Sequence, residues 1–223
     1  MSEAKELKIL DLFAGLGGSA KGIQKTLNKQ KIKFEYFAIE INPVIAKDHK
    51  LNNPESNVVI ADCKDWFDQA AKFDFVWASP PCQTHSKWNV VWNSRRNEPS
   101  IPDDTLWFLI RKFRTMNINF VIENVDPYYP EPLKYTVKID RHCFWSSFPI
   151  RQFSCKSREK NFNYMTTKDW SEYHELQNIE GSSYDKRQAL RNATHFSIAA
   201  GIFEQFLKPR TICFTNFIGA FDQ

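Results

Sequence analysis

The 223-residue sequence lacks any apolar run approaching the roughly eighteen residues that a membrane-crossing helix needs. Its start, Met1-Ser2-Glu3-Ala4-Lys5-Glu6, carries acids where a secretion signal would be basic and then apolar. A soluble, intracellular, cytoplasmic protein with no membrane partner is expected. Cysteine pairing is also absent. The five cysteines, Cys63, Cys82, Cys143, Cys155 and Cys213, are odd in number and scattered. They form neither a disulfide framework nor a pair at zinc-ligand spacing, so reduced thiols and no metal are expected. No internal repeat or low-complexity tract argues for a solenoid or a disordered chain. Charge of one sign is not in large excess: the net +4 is too modest to argue for nucleic acid. Its placement says more, because Arg151 to Lys168 holds five basic residues against Glu159 alone.

What is present is alternation. Short apolar runs separated by helical patterns argue for an α/β wind around a mostly parallel sheet, in a chain long enough for one catalytic domain. Strands are predicted at 9–13, 34–39, 58–60, 73–78, 118–122, 135–139 and 143–148. Helices are predicted over 18–27, from the Asn42-Pro43 cap, from a cap at Asp103, and over 193–207 with a stop at Pro209. Two stretches, 83–102 and 154–183, show no periodicity. Loops that long in a compact domain are usually functional or disordered.

The chemistry-bearing residues sit where the predicted strands end. Asp11-Leu12-Phe13-Ala14-Gly15-Leu16-Gly17-Gly18 leads from the first strand into a helix, where glycines let backbone approach a ligand and the helix amino end adds free N–H groups. It lacks the third glycine spacing of the dinucleotide fingerprint, and a tight strand-to-helix turn would read the same way. Glu40 ends the second strand, where an acid commonly accepts hydrogen bonds from ribose hydroxyls. Asp62 follows the third and is placed to meet an adenine amino group; either acid could instead be a cap or a surface group. With no phosphate-binding lysine motif, this set describes a pocket for a nucleoside cofactor. Cys82, in Ser79-Pro80-Pro81-Cys82-Gln83, and Glu123, in Glu123-Asn124-Val125, place a nucleophile and a proton-handling acid at the ends of neighbouring strands.

With Gln188-Ala189-Leu190-Arg191-Asn192-Ala193 before the last helix, these motifs occur in the order of the cytosine carbon-5 methyltransferases, which the chain resembles over most of its length. The resemblance implies a Rossmann-like S-adenosylmethionine-dependent methyltransferase fold with helices on both faces of the sheet. It implies S-adenosylmethionine as cofactor, held by Phe13, Ala14, Gly15, Gly17, Gly18, Glu40, Ile41, Asp62, Cys63, Pro80, Asn192 and Ala193. It also implies Cys82 as the thiolate that adds to carbon 6 of cytosine and Glu123 as the acid at ring nitrogen 3. Asn124 would orient the nucleophile loop. Duplex DNA is the implied partner, with the target base flipped out of the stack. The loop after Cys82 offers Gln83, Ser86, Lys87, Arg95 and Arg96 to the DNA, and Trp88, Trp92 and Asn89 to the vacated stack. The two tryptophans read equally as apolar anchors of the loop.

The chain departs from the family in three places. Two arginines one residue apart usually precede a late strand, one contacting the cytosine carbonyl oxygen; Asp140-Arg141-His142-Cys143-Phe144-Trp145 keeps Arg141, and either His142 or Cys143 takes the place of the second. Phe144-Trp145-Ser146-Ser147-Phe148-Pro149 resembles the following strand in compact members. Arg191 stands where the family usually has glycine and could touch phosphate. The target-recognition region is short: only about 35 residues separate Pro149 from Tyr184, carrying Lys156, Arg158 and Lys160. The chain is accordingly divided into a catalytic and cofactor-binding core at 1–150, a short recognition segment at 151–185, and a returning helix and tail at 186–223. A short or relaxed target is expected, with a partner protein as one source of further specificity. A tRNA cytosine methyltransferase and a catalytically silent cofactor-binding subunit remain the alternatives. Intact Cys82 and Glu123 weigh against the silent subunit.

Overall fold

A computed structural model describes residues 6–87, 89, 101–155, 164–177, 179–180 and 184–208. Seven strands form one sheet: β1 (Leu7–Leu12), β2 (Phe34–Glu40), β3 (Ser56–Ile60), β4 (Phe75–Ala78), β5 (Phe120–Val125), β6 (Val137–Ile139) and β7 (His142–Ser146). Their order is β3-β2-β1-β4-β5-β7-β6. The first five are parallel, whereas β7 runs antiparallel to both β5 and β6. The strand order reverses between β1 and β4, and in such sheets ligands bind in the crevice outside the carboxyl ends at that point.

Helices cover both faces. On one, α1 (Gly18–Lys29) and a last helix (Phe196–Leu207) bury Ile23, Leu27, Ile198, Ile202 and Phe203 against Ile9, Tyr36, Phe75 and Trp77. On the other, a helix at Thr105–Thr115 buries Leu106, Leu109, Ile110 and Phe113 against Leu10, Val76 and Ile122. Alternate residues of one strand therefore feed two cores, and the near-continuous apolar runs of β1 and β4 follow from burial on both sides. The first helix and the last meet at Gly22: a Cβ there would lie 2.1 Å from the carbonyl oxygen of Phe196. Only a residue without a side chain permits that approach.

Among the described residues the α-helices are, in chain order, α1, α2 (Pro43–Asn52), α3 (Thr105–Thr115), α4 (Thr167–His174), α5 (Lys186–Asn192) and α6 (Phe196–Leu207). The start of α2 follows its sequence signal: Asn42 Oδ1 accepts from the Val44 and Ile45 amides at 2.9 and 3.3 Å, and proline occupies the first turn. Asp103 Oδ1 accepts from the Thr105 amide at 3.0 Å, although the residue flanking α3 is Asp104.

Three expectations are corrected. The segment 154–183 was expected without regular structure, yet it contains α4. A capping box there joins the Thr166 hydroxyl to the Asp169 amide and the Asp169 carboxylate to the Thr166 amide. A single helix was expected over 193–207, but Ala193 and His195 are extended. There the His195 imidazole accepts from the Ser197 amide at 3.1 Å and starts a new helix. Strand β5 runs past its expected end at 122, so Glu123 and Asn124 lie within the sheet. Pro209, the expected stop of α6, lies outside the described residues, as do Trp88, Trp92, Arg95, Arg96, Lys156, Arg158, Lys160 and Cys213. No helix among the described residues is long and apolar enough to cross a membrane.

Candidate active site

The glycine loop leaves β1 in a conformation set by three positive φ angles, at Phe13 (58°), Gly15 (51°) and Gly17 (84°). Its amides and carbonyls are held from several sides. Glu40, buried at the end of β2, accepts from the Gly15 amide through Oε2 at 3.0 Å and from the Asn42 amide through Oε1 at 2.8 Å. A carboxylate has about four acceptor positions, so both oxygens keep capacity for hydroxyl donors. The Phe13 amide donates to Cys63 Sγ at 3.0 Å. Asn53 Nδ2 donates to the Gly17 carbonyl at 3.2 Å, and a Cβ on Gly17 would lie 2.2 Å from that nitrogen.

The α2 residue His49 completes the clamp. Burial pulls its imidazole down to about 4, so the ring is neutral. Its Nδ1 lies 3.0 Å from the Gly15 carbonyl, which can only accept, and the proton is therefore assigned to Nδ1. Its Nε2 then accepts from Ser56 Oγ at 3.2 Å, and Ser56 accepts from Gln24 Nε2 at 2.8 Å. One relay thus joins α1, β3, α2 and the loop. Sequence reasoning missed His49, Asn53, Ser56 and Gln24; the one local signal was the spacing of His49 and Asn53, which puts both on one helix face.

The twelve residues expected at the cofactor all line one cavity of about 340 Å³: Phe13, Ala14, Gly15, Gly17, Gly18, Glu40, Ile41, Asp62, Cys63, Pro80, Asn192 and Ala193. That volume lies in the range of small-molecule sites. Leu16, Ser19, Ile45 and Thr194 line it too, unforeseen. Ile41 exposes 64% of its surface at the rim, an apolar platform suited to the face of a base. Asp62 caps the turn after β3, its Oδ1 accepting from the Lys64 amide at 2.9 Å. Cavity size, apolar rim and the two acids fit an adenosine-type cofactor.

Cys82 and Glu123 line the same cavity. Cys82 follows β4, and Asn124 of β5 donates from Nδ2 to the Pro80 carbonyl at 3.0 Å, pinning the strand-to-loop turn. Beyond Cys82 the chain is anchored. The Thr84 hydroxyl donates to Asp103 at 3.0 Å, and His85 Nδ1 lies 2.5 Å from the Tyr129 hydroxyl. Asn89, expected at the DNA stack, is buried, and its amide donates to the Thr84 carbonyl at 3.1 Å. It braces the loop from within. Lys87 is exposed, with Nζ 3.6 Å from Asp126 Oδ2; Gln83 is exposed and Ser86 half-buried.

Burial pushes the Cys82 thiol up to about 11. The neighbouring Glu123 adds to that rise, while Arg141 and Arg191 pull it down. The structure therefore sets both arginines in the field of the nucleophile. A guanidinium nitrogen of Arg141 donates to the Arg191 carbonyl, tying the β6–β7 turn to α5. Neither arginine lines the cavity.

Strand alternation decides which of His142 and Cys143 faces Glu123. Glu123 lies opposite Phe144 and Val125 opposite His142, so His142 shares the face of Glu123. Its Nδ1 lies 2.5 Å from Glu123 Oε1, and both side chains are buried. Cys143, opposite Asn124, points into the other core beside Trp145.

The fold is that of the Rossmann-like, S-adenosylmethionine-dependent methyltransferases. Residues 7–128 match the family model of the C-5 cytosine-specific DNA methylases, more than half of the chain, and the chain belongs to that family. Among solved structures it is similar to a Spodoptera frugiperda DNMT2 mutant, with 26% identity and a TM-score of 0.39 over 54% of this chain and 36% of the other. It is also similar to a putative DNA modification methyltransferase encoded within an Escherichia coli prophage, with 23% identity and a TM-score of 0.36 over 56% of this chain and 34% of that one. The chain thus spans about a third of the length of these two. The Entamoeba histolytica methyltransferase EhMeth is 12% identical, with a TM-score of 0.50 over 92% of this chain and 100% of its own, and bears on the fold alone. A search of curated proteins found no match.

Proposed function

We propose that the chain transfers a methyl group from S-adenosylmethionine to carbon 5 of cytosine in duplex DNA, through a covalent Cys82 adduct with a flipped-out base. One observation carries this reading: the cofactor-type pocket, the Cys82 thiol and the Glu123 carboxyl share a single cavity at the switch point of the sheet. Bound there, the cofactor supplies an electrophilic methyl group.

The protein residues do the rest. Carbon 5 of cytosine is a poor nucleophile, so the Cys82 thiol gives up its proton to water, the thiolate adds to carbon 6 and the displaced electron pair enriches carbon 5. Glu123 gives a proton to ring nitrogen 3 as charge develops there. After transfer a base takes the carbon 5 proton, the carbon–sulfur bond breaks, and nitrogen 3 returns its proton. Asn124 keeps Pro80, and through it Cys82, at a fixed distance from β5. Phe13 to Gly18, Glu40, Ile41, Asp62, Cys63, Pro80, Asn192 and Ala193 hold the cofactor. Arg141, the retained arginine of the late motif, is assigned with Cys82, Glu123 and Asn124 to the catalytic set, and Arg191, Gln83, Ser86 and Lys87 to the DNA side.

The resting thiol is mostly protonated at neutral pH, given its rise to about 11. The positive field of Arg141 and Arg191 opposes that rise and favours the thiolate. The short recognition segment supports a short or relaxed target, because phosphate contacts position without specifying. A partner protein is one source of added specificity.

Tritiated methyl transfer to unmethylated duplex DNA and to tRNA, side by side, tests the reading. Transfer to DNA at cytosine is expected. Transfer to tRNA alone would move the substrate to RNA, and bisulfite sequencing confined to one long motif would overturn the relaxed target.

A further inference from the structure

We infer that His142 is a positioning residue for Glu123. It fixes one carboxyl oxygen so that the other serves the substrate, and it donates to the carboxylate when the proton leaves. This deepens the proposed function and rests on it.

The inference stands on geometry. His142 Nδ1 lies 2.5 Å from Glu123 Oε1, in direct hydrogen-bond contact. The contact is sequestered, with side-chain exposures of 4% and 7%. Burial of this kind requires both groups to be partnered, since an unpaired buried charge is costly. The two residues lie on adjacent antiparallel strands, diagonally related across the ladder, so the backbone fixes their separation. Glu123 lines the cavity and His142 does not. With Oε1 engaged from behind, Oε2 is the oxygen left for a base in the cavity.

The consequence for proton transfer follows from the bond. While the carboxyl is neutral, Oε2 carries the proton and Oε1 accepts from Nδ1–H. When the Cys82 sulfur bonds to carbon 6, that proton passes from Oε2 to ring nitrogen 3, and the new negative charge spreads onto an oxygen that already holds a donor. The bond becomes charge-assisted at the moment the charge appears, so it stabilises the transition state more than the ground state. When the carbon–sulfur bond breaks, nitrogen 3 returns the proton to Oε2 and the pair is restored. Where the family usually places an arginine, this chain uses a ring whose reach matches the diagonal.

Two measurements on the full chain test the inference. The first is independent of activity: an imidazole N–H held in a sequestered hydrogen bond to a carboxyl group gives a far-downfield resonance in proton NMR. That resonance is expected in the wild type and lost in both Glu123→Gln and His142→Phe. Its absence from the wild type overturns the pairing, even if no substrate is ever methylated. The second is kinetic. His142→Phe is expected to lower kcat about 10- to 100-fold, the loss of one hydrogen bond to a charged group, with KM and cofactor affinity little changed. His142→Asn, which presents an amide N–H near the position of Nδ1, is expected to recover most of it. A His142→Phe kcat equal to that of the wild type, or a His142→Asn enzyme no faster than His142→Phe, overturns the positioning role. Should His142→Phe not fold, the wild type against His142→Asn decides: activity at the wild-type level supports the donor role and a full loss refutes it. A wild type that shows the resonance but methylates neither DNA nor tRNA refutes the proposed function and leaves the pairing standing.

Discussion

Alkylation of Cys82 is predicted to be slow in the resting protein and to quicken in Glu123→Gln. Burial, with the neighbouring Glu123, raises the thiol from the ordinary 9.0 to about 11, against the opposing pull of Arg141 and Arg191. Two units correspond to about 100-fold less thiolate than an ordinary cysteine carries at the same pH. Because the thiolate is the reacting species, iodoacetamide should label Cys82 about that much more slowly than it labels free cysteine at pH 8. The sign of the Glu123→Gln effect follows: removing an adjacent anion favours the charged form, so the thiol titrates lower and labelling at fixed pH speeds up. Arg191→Ala should act the other way. Site-resolved mass spectrometry separates Cys82 from Cys63 and Cys143, whose thiols burial holds at about 12. A Cys82 rate that levels off near pH 8, or one that Glu123→Gln slows, would refute the electrostatic account of a nucleophile kept dormant until substrate arrives.

Asn124→Ala should destabilise the protein by about 1–3 kcal/mol in urea unfolding, because it strips the buried Pro80 carbonyl of its donor, and should lower transfer more than cofactor binding. Gly22→Ala should cost on the order of 3 kcal/mol in the same assay, since its Cβ would lie 2.1 Å from the backbone oxygen of Phe196 and neither helix can yield. Asp11 is fully buried and holds its proton up to about pH 7, against 3.8 when unfolded. Between those values the folded state binds the extra proton, so this group's contribution to stability is complete below about pH 4 and is lost as pH rises to 7. Asp11→Asn removes that slope, and its stability relative to wild type should improve by on the order of 1 kcal/mol per pH unit across that window and stay level above it.

Much of the fold was legible because each local signal agreed with the global wind. The apolar runs of β1, β2 and β4 are buried on both faces, and Asn42-Pro43 starts α2 by capping chemistry that acts within one turn. The unread parts depend on contacts distant in the chain or on signals too short for periodicity. Helix α4 announces itself only through Thr166 and Asp169; its apolar residues Trp170 and Tyr173 are explained by Leu16 and Leu190, which lie far away in sequence. The break before α6 is made by one histidine side chain. At the site, the glycine loop, Glu40, Asp62, Cys82 and Glu123 were readable because each lies near the carboxyl end of a strand whose direction was known. The clamp of His49 and Asn53 was not, since it needs α2 folded against the loop. Nor was the choice of His142 over Cys143, which is a matter of strand register and turns on pairing with β5.

The central claim is that Cys82 and the cofactor pocket act on one cytosine within one cavity. Incubating the chain with duplex DNA containing 5-fluorocytosine and S-adenosylmethionine, followed by denaturing electrophoresis, tests it directly. Fluorine at carbon 5 blocks the final elimination, so a stable protein–DNA adduct is expected that requires both the cofactor and Cys82 and is absent from Cys82→Ala. A Cys82→Ala protein that still forms the adduct, or a wild type that binds cofactor and methylates DNA without forming one, would contradict the account.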